Sequence, residues 1–142
     1  MTENTLKSDV LRTKRNQLKG QLRLLAAQME NKELNKSVDL AGRQSDEQLR
    51  INQYKIQAGK LVFELYELGE CESGTLNQVL DYWSKKPYSE SADWNYLQGF
   101  ESICWQWYGN SFGNLKKELG ELCAYAHIIR LLVGHYEHQD ID

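Results

Sequence analysis

Apolar and polar positions alternate along this chain with the period of a helix, and the pattern is clearest over Asp46–Leu68. Ile51, Tyr54, Ala58, Leu61, Leu65 and Leu68 follow one another at steps of three and four, which draws one unbroken apolar seam on a helix. Val62, Phe63 and Tyr66 widen that seam near its end, so the helix has surface for two neighbours at once. It is expected to be the central helix of the fold.

A second seam precedes it. Between Thr5 and Lys32 the residues Leu11, Leu18, Leu22, Leu25 and Met29 mark a coiled-coil-like stripe whose missing step falls on Lys14 and Arg15. Gly20 weakens this helix and leaves room for the close approach of a neighbour. Gly42, then Ser45-Asp46-Glu47, read as a stop followed by an N-cap and an acidic first turn. The two long helices are therefore expected to form an antiparallel hairpin with facing seams.

Gly69–Gly74 reads as a turn. A short helix over Thr75–Lys85 carries Leu76, Val79, Leu80 and Trp83, and Pro87 closes it. The next helix, Ala92–Tyr108, places Trp94, Leu97, Phe100, Ile103, Cys104 and Trp107 on one face and leaves Trp105 and Tyr108 off it. Gly109–Asn114 is expected to break the chain. A last helix, Asn114–Tyr136, repeats Leu115, Leu119, Leu122, Ala126, Ile129 and Val133, broadened by Tyr125, Ile128 and Leu132. No strand-like alternation persists. The fold class that follows is all-α, a four- to five-helix bundle built on a helical hairpin.

A chain of 142 residues has the length of one domain with a core of its own. It divides into a basic helical hairpin over 5–68 and an aromatic-rich helical half over 74–136. The formal charge of −3 is mild but unevenly spread. Residues 5–60 carry twelve Lys or Arg against six Asp or Glu, and residues 71–142 carry five against ten. Such a division is compatible with nucleic-acid contact, with head-to-tail self-association, or with neither. Cys71, Cys104 and Cys123 form no CxxC pair, and the last two fall within apolar helical patterns, where a reduced, buried thiol is expected. The polar, basic Met1–Lys14 has no apolar signal-peptide region, and no window has the apolar length of a membrane span. A cytoplasmic protein is the expectation.

Candidate chemistry is sparse. His127, His135 and His138 lack the spacing and third ligand of a zinc site, so neither metal nor cofactor is expected. Arg130-Leu131-Leu132-Val133-Gly134-His135 is an Arg-x4-His pattern near the end of a helical bundle, and it resembles the motif of the HEPN ribonuclease superfamily. That resemblance implies an all-helical, usually dimeric, metal-independent ribonuclease. In it Arg130 would stabilise phosphate charge and His135 would move the proton of the 2′-hydroxyl. Leu131 departs from the polar residue common there, and only seven residues follow His135. The hairpin sequence RNQLKGQLRLLAAQMENKE…SDEQLRINQYKIQAGKLVFELYEL is similar to the coiled-coil hairpins of bacterial effector-associated domains, which are adaptor modules.

Two surfaces remain. Arg12, Lys14, Arg15, Lys19 and Arg23 make the first helix basic and are the nucleic-acid-binding candidates. Between Tyr82 and Phe112 lie ten of the fifteen aromatic residues and all four tryptophans, more than one small core needs. Trp105 and Tyr108, with Trp94 at the start of the same helix, are the expected partner-binding residues. The leading reading is a non-enzymatic adaptor or accessory subunit that binds another protein or itself. The HEPN-like ribonuclease and a nucleic-acid-binding subunit are the alternatives.

Overall fold

In the computed structural model the backbone is described over residues 3–31, 44–68, 74–85 and 92–139, and side chains over 9–31, 48–68, 74–85 and 93–135. The chain forms α1 (Glu3–Glu30), α2 (Gln44–Glu67), α3 (Thr75–Ser84) and α4 (Ala92–Ser102), which runs into a π-helical segment, Ile103–Trp107. Then come α5 (Ser111–Leu119) and α6 (Glu121–Gln139). The fold is all-α, with no strand among the described residues. Gly42, the Gly69–Ser73 turn, Cys71, Pro87 and the end of the chain lie outside the described residues.

The seams become the core. On α2, Ile51, Tyr54, Ala58, Val62, Phe63 and Leu65 are buried, while Leu61, Tyr66 and Leu68 pack against the same core from its margin. The widened stripe has the expected consequence: α2 touches α1, α3, α4 and α6. Its main partner is α4, whereas α1 packs chiefly against α6. Gly59 sets the α2–α4 approach, since a Cβ there would sit 2.8 Å from the carbonyl carbon of Tyr96. Gly20 has no such role: a Cβ there meets nothing within 4 Å.

Two expectations are corrected. The last helix is not continuous from Asn114 to Tyr136. Gly120 adopts φ 87° and ends α5, and α6 begins afresh with Glu121 in its first turn, favourable to the helix dipole. Leu119, counted in the seam, is consequently 46% exposed, and Phe112, assigned to the break, is buried inside α5. On α1 only the second half of the seam is covered: Leu18, Leu22, Leu25 and Met29 are buried, but Leu11 is exposed.

A polar knot ties the bundle together. Lys55 on α2 is 4% exposed, and its ammonium lies 2.8 Å from Glu101 on α4 and 3.8 Å from Glu121 on α6. It also stands 4.8 Å above the ring of Tyr125, whose hydroxyl donates to Glu121 at 3.3 Å. A buried cation is tolerated only with such partners. At the other end of α2, the Tyr66 hydroxyl donates to Asp81 of α3 at 3.0 Å. Lys85 lies 3.0 Å from the same carboxyl, and with Tyr66 it holds Asp81 below the usual carboxylate range.

Candidate interaction site

The π-helical segment organises the surface with most features of a site. Its wider i→i+5 turn fits one extra residue into the helix and re-aims the side chains that follow, a feature frequent at functional sites. Ile103 and Cys104 stay buried, Trp105 and Gln106 turn to solvent, and Trp107 and Tyr108 come to rest half-buried beside α6. There they form one wall of a cavity of about 450 Å³, and Arg130, Leu131, Gly134 and His135 of α6 form the other. These α6 positions, i, i+1, i+4 and i+5, share one side of a helix. Gly134 leaves the hollow open, because a Cβ there would meet nothing within 4 Å.

Aromatic contacts fix the walls. The rings of Trp107 and His135 meet edge to face at 6.0 Å, as do those of Tyr108 and His127. Arg130 stands at the rim, 48% exposed, and its Nε donates to the Glu30 carboxylate of α1 at 2.6 Å. The cavity therefore lies beside the carboxy-terminal end of α1. Leu131, 38% exposed, adds apolar surface at its mouth. An aromatic and aliphatic hollow of this size, with an arginine on its edge, is suited to an apolar side chain anchored by a polar rim.

The structure thus brings Tyr108, Arg130 and His135 together. Trp94 and Trp105 are not among the cavity walls. Trp94 is 53% exposed on α4, and Trp105 is 45% exposed. Trp105 lies edge to face on Phe112 at 4.9 Å with the Lys116 ammonium 5.8 Å from its ring. Of the basic residues, Arg12, Lys14 and Arg23 are exposed and Arg15 is half-buried. Lys19 is corrected: it is 2% exposed and belongs to the core side of α1, one turn from Leu22 and two from Ala26. The basic surface of α1 is therefore interrupted at its middle.

Sequence reasoning missed Trp107, assigned there to the core seam, and Leu131 and Gly134, which served only as spacers in a motif. A glycine inside an otherwise apolar helix was the available signal. Lys55, Glu101 and Glu121 were missed as well, because each is a polar residue on a helix and reads as solvated until its neighbours are known. Burial pushes the nearby Cys104 thiol up, away from reactivity, and pushes the Tyr125 hydroxyl up, with the Glu121 charge adding to the effect.

Comparison with known proteins finds no matching family model, no matching curated protein and no matching solved structure.

Proposed function

We propose that this chain is a non-enzymatic helical interaction protein, an adaptor or accessory subunit, whose contact site is the cavity between the π-helical segment and α6. The observation that carries this reading is the composition of the walls. Trp107, Tyr108 and Leu131 offer apolar contact area around an open hollow, with Arg130 on the rim. Tryptophan, tyrosine and arginine are the residues that dominate binding energy at protein interfaces, especially around a pocket that a partner side chain fills. The π-helical distortion supports the same reading, since it turns Trp107 and Tyr108 toward the hollow. Trp105 and Trp94 stand outside it as secondary contacts.

The ribonuclease alternative keeps one supporting observation, that Arg130 and His135 line the same cavity. Against it, Arg130 is engaged by Glu30 at 2.6 Å, so phosphate would have to displace a carboxylate. Nucleic-acid binding along α1 is weakened by the burial of Lys19.

Affinity capture of the tagged chain from its native cells, with and without RNase and repeated with Tyr108→Ala and Leu131→Asp, tests the proposal. A stoichiometric protein that survives RNase and is lost with both variants is the expected result. RNA cleavage in EDTA that disappears with His135→Ala would replace this reading with the ribonuclease one.

A further inference from the structure

We propose that two copies of this chain pair through the outer side of α1, the two helices lying parallel and in register about a two-fold axis. This surface shares no residue with the walls of the Trp107–His135 cavity, so the pairing stands apart from the reading of that cavity as a contact site.

The first observation is a second seam on α1. Val10, Thr13, Gln17, Gly20, Leu24 and Ala27 follow one another at steps of three, four, three, four and three, and all but Gln17 are apolar or small. All six are exposed, Val10 by 66% and Leu24 by 60%. The buried seam of the same helix, Leu18, Leu22, Leu25 and Met29, serves the packing on α6 and α2. Gly20 and Leu24 stand two residues to either side of Leu22, so at about 100° per residue they point roughly 160° away from it. The helix thus carries a stripe on each side, and the bundle covers only one. A solvated face has no need of coiled-coil spacing, whereas a helix–helix contact requires it.

The second observation is the room left on this stripe. A glycine in mid-helix weakens α1, and nothing in the chain uses the space it leaves, because a Cβ at Gly20 would meet no atom within 4 Å. Close by, Asp9, Val10, Thr13, Lys14 and Gln17 line a groove of about 440 Å³. Rows of side chains three and four residues apart are the ridges and grooves by which one helix receives another. A glycine at a contact position lets the second helix come close.

Charge, and the one polar member of the stripe, select a parallel second copy. With Val10, Gln17 and Leu24 as a positions of a heptad, parallel pairing sets each g residue against the e residue five places on in the other copy. Asp9 then meets Lys14, Asn16 meets Gln21 and Arg23 meets Gln28. Nothing in that set repels, and the Asp9–Lys14 pair forms twice. Gln17 meets Gln17 of the second copy, two amides that hydrogen-bond across the axis, and a polar a position of this kind fixes the register. Antiparallel pairing over the full stripe instead sets Asp9 against Glu30, a carboxylate already held by Arg130, and Gln17 against Gly20. Shifted by one heptad, it sets Lys14 against Lys14 or Arg23 against Arg23. The parallel contact uses the same surface on both copies, so it closes at two.

Sedimentation equilibrium of the full chain is the test. The expected species is a dimer of about 33 kDa, twice the 16.6 kDa chain. Val10→Glu with Leu24→Glu should raise its dissociation constant roughly tenfold or more, since like charges then face each other across the axis. Both sites are exposed, and an unchanged far-UV spectrum confirms the fold. Asp9→Lys alone and Lys14→Asp alone should each raise the constant roughly threefold or more. The two together exchange the charges of the pair and should return the constant close to its wild-type value. Tyr108→Ala should leave it unchanged. A wild type that stays monomeric up to about 1 mM overturns the inference, and so does a dimer indifferent to the Val10 and Leu24 substitutions. A dimer that Asp9→Lys tightens is antiparallel, with Asp9 facing Glu30, and overturns it too. Failure of the charge exchange to restore pairing has the same meaning. Dissociation by Tyr108→Ala would move the interface to the cavity, which overturns the α1 pairing and leaves the cavity a contact site.

Discussion

Lys55 and Glu101 share an ion pair but not an environment. The lysine side chain is 5% exposed and the glutamate 37%. Removing the glutamate strands an ammonium inside the bundle, whereas removing the lysine leaves two carboxylates that water can reach. Glu101→Leu should therefore cost about 3 kcal/mol in urea unfolding, and Lys55→Met about 1 kcal/mol or less. Equal losses would mean that the pair, and not the stranded cation, sets the energetics. A pH effect follows from the neighbouring groups. Cys104 and Tyr125 are raised from ordinary values of 9.0 and 10.0 and stay neutral in the fold. Above those values the unfolded chain loses protons that the native chain keeps, so stability falls as pH rises. The decline should begin near pH 9, where the Cys104 thiol titrates in the unfolded chain, and steepen above pH 10. Tyr125→Phe should remove the tyrosine share, at most about 1.4 kcal/mol per pH unit, in denaturant titrations from neutral to alkaline pH.

Helices are placed here by what is absent from their surfaces as much as by their seams. At Gly59 the α2 backbone lies against the Tyr96 carbonyl of α4, and at Gly99 a Cβ would sit 2.7 Å from the Phe63 ring. Gly59→Ala pushes two backbones apart and should cost roughly 1–3 kcal/mol, despite alanine's better helix propensity, read as a lower urea midpoint at unchanged slope. The π-helical segment is the other placing device. Deleting Gln106, which is exposed, removes the extra residue, so Ile103–Trp107 should relax to an α-helix with Trp107 and Tyr108 still directed at α6. The deletion should keep far-UV helicity and capture at the cavity, whereas Tyr108→Ala abolishes capture. Lost capture would show that the π-turn itself, and not only the register it sets, presents the site. Neither device was visible in the seams. Residues Ala92–Tyr108 fit one continuous helix by period, and a one-residue insertion shows itself only through which side chains end up buried. The apolar repeat runs through Gly120 without a missed step, so the break there leaves no mark on the period.

Across the whole molecule the core occupies only part of the helical length. Among the described residues the buried set starts at Leu18, so Asp9–Gln17 contributes little to the core. A chain beginning at Asn16 should melt within a few degrees of the full chain, since no residue deleted has a fully buried side chain among those described. A large loss of stability in dilute truncated protein would instead show that the deleted residues pack on their own bundle.

The all-helical class, the boundaries of α1, α2 and α3, and most of the buried set were fixed by local pattern. Steps of three and four residues decide which side of a helix is apolar, and an apolar side has to be covered. The uneven charge and the aromatic concentration over 82–112 were equally plain in the chain. Which covered side meets which was decided only by tertiary structure. Glu30 finds Arg130 and Lys55 finds Glu101 across separations that no periodicity spans. The cavity lies where the π-helical segment and α6 face each other, residues far apart in the chain. The burial of Lys19, against its charge, has the same origin. Helical period is a property of neighbours along the chain, whereas a site and a buried charge are properties of neighbours in space.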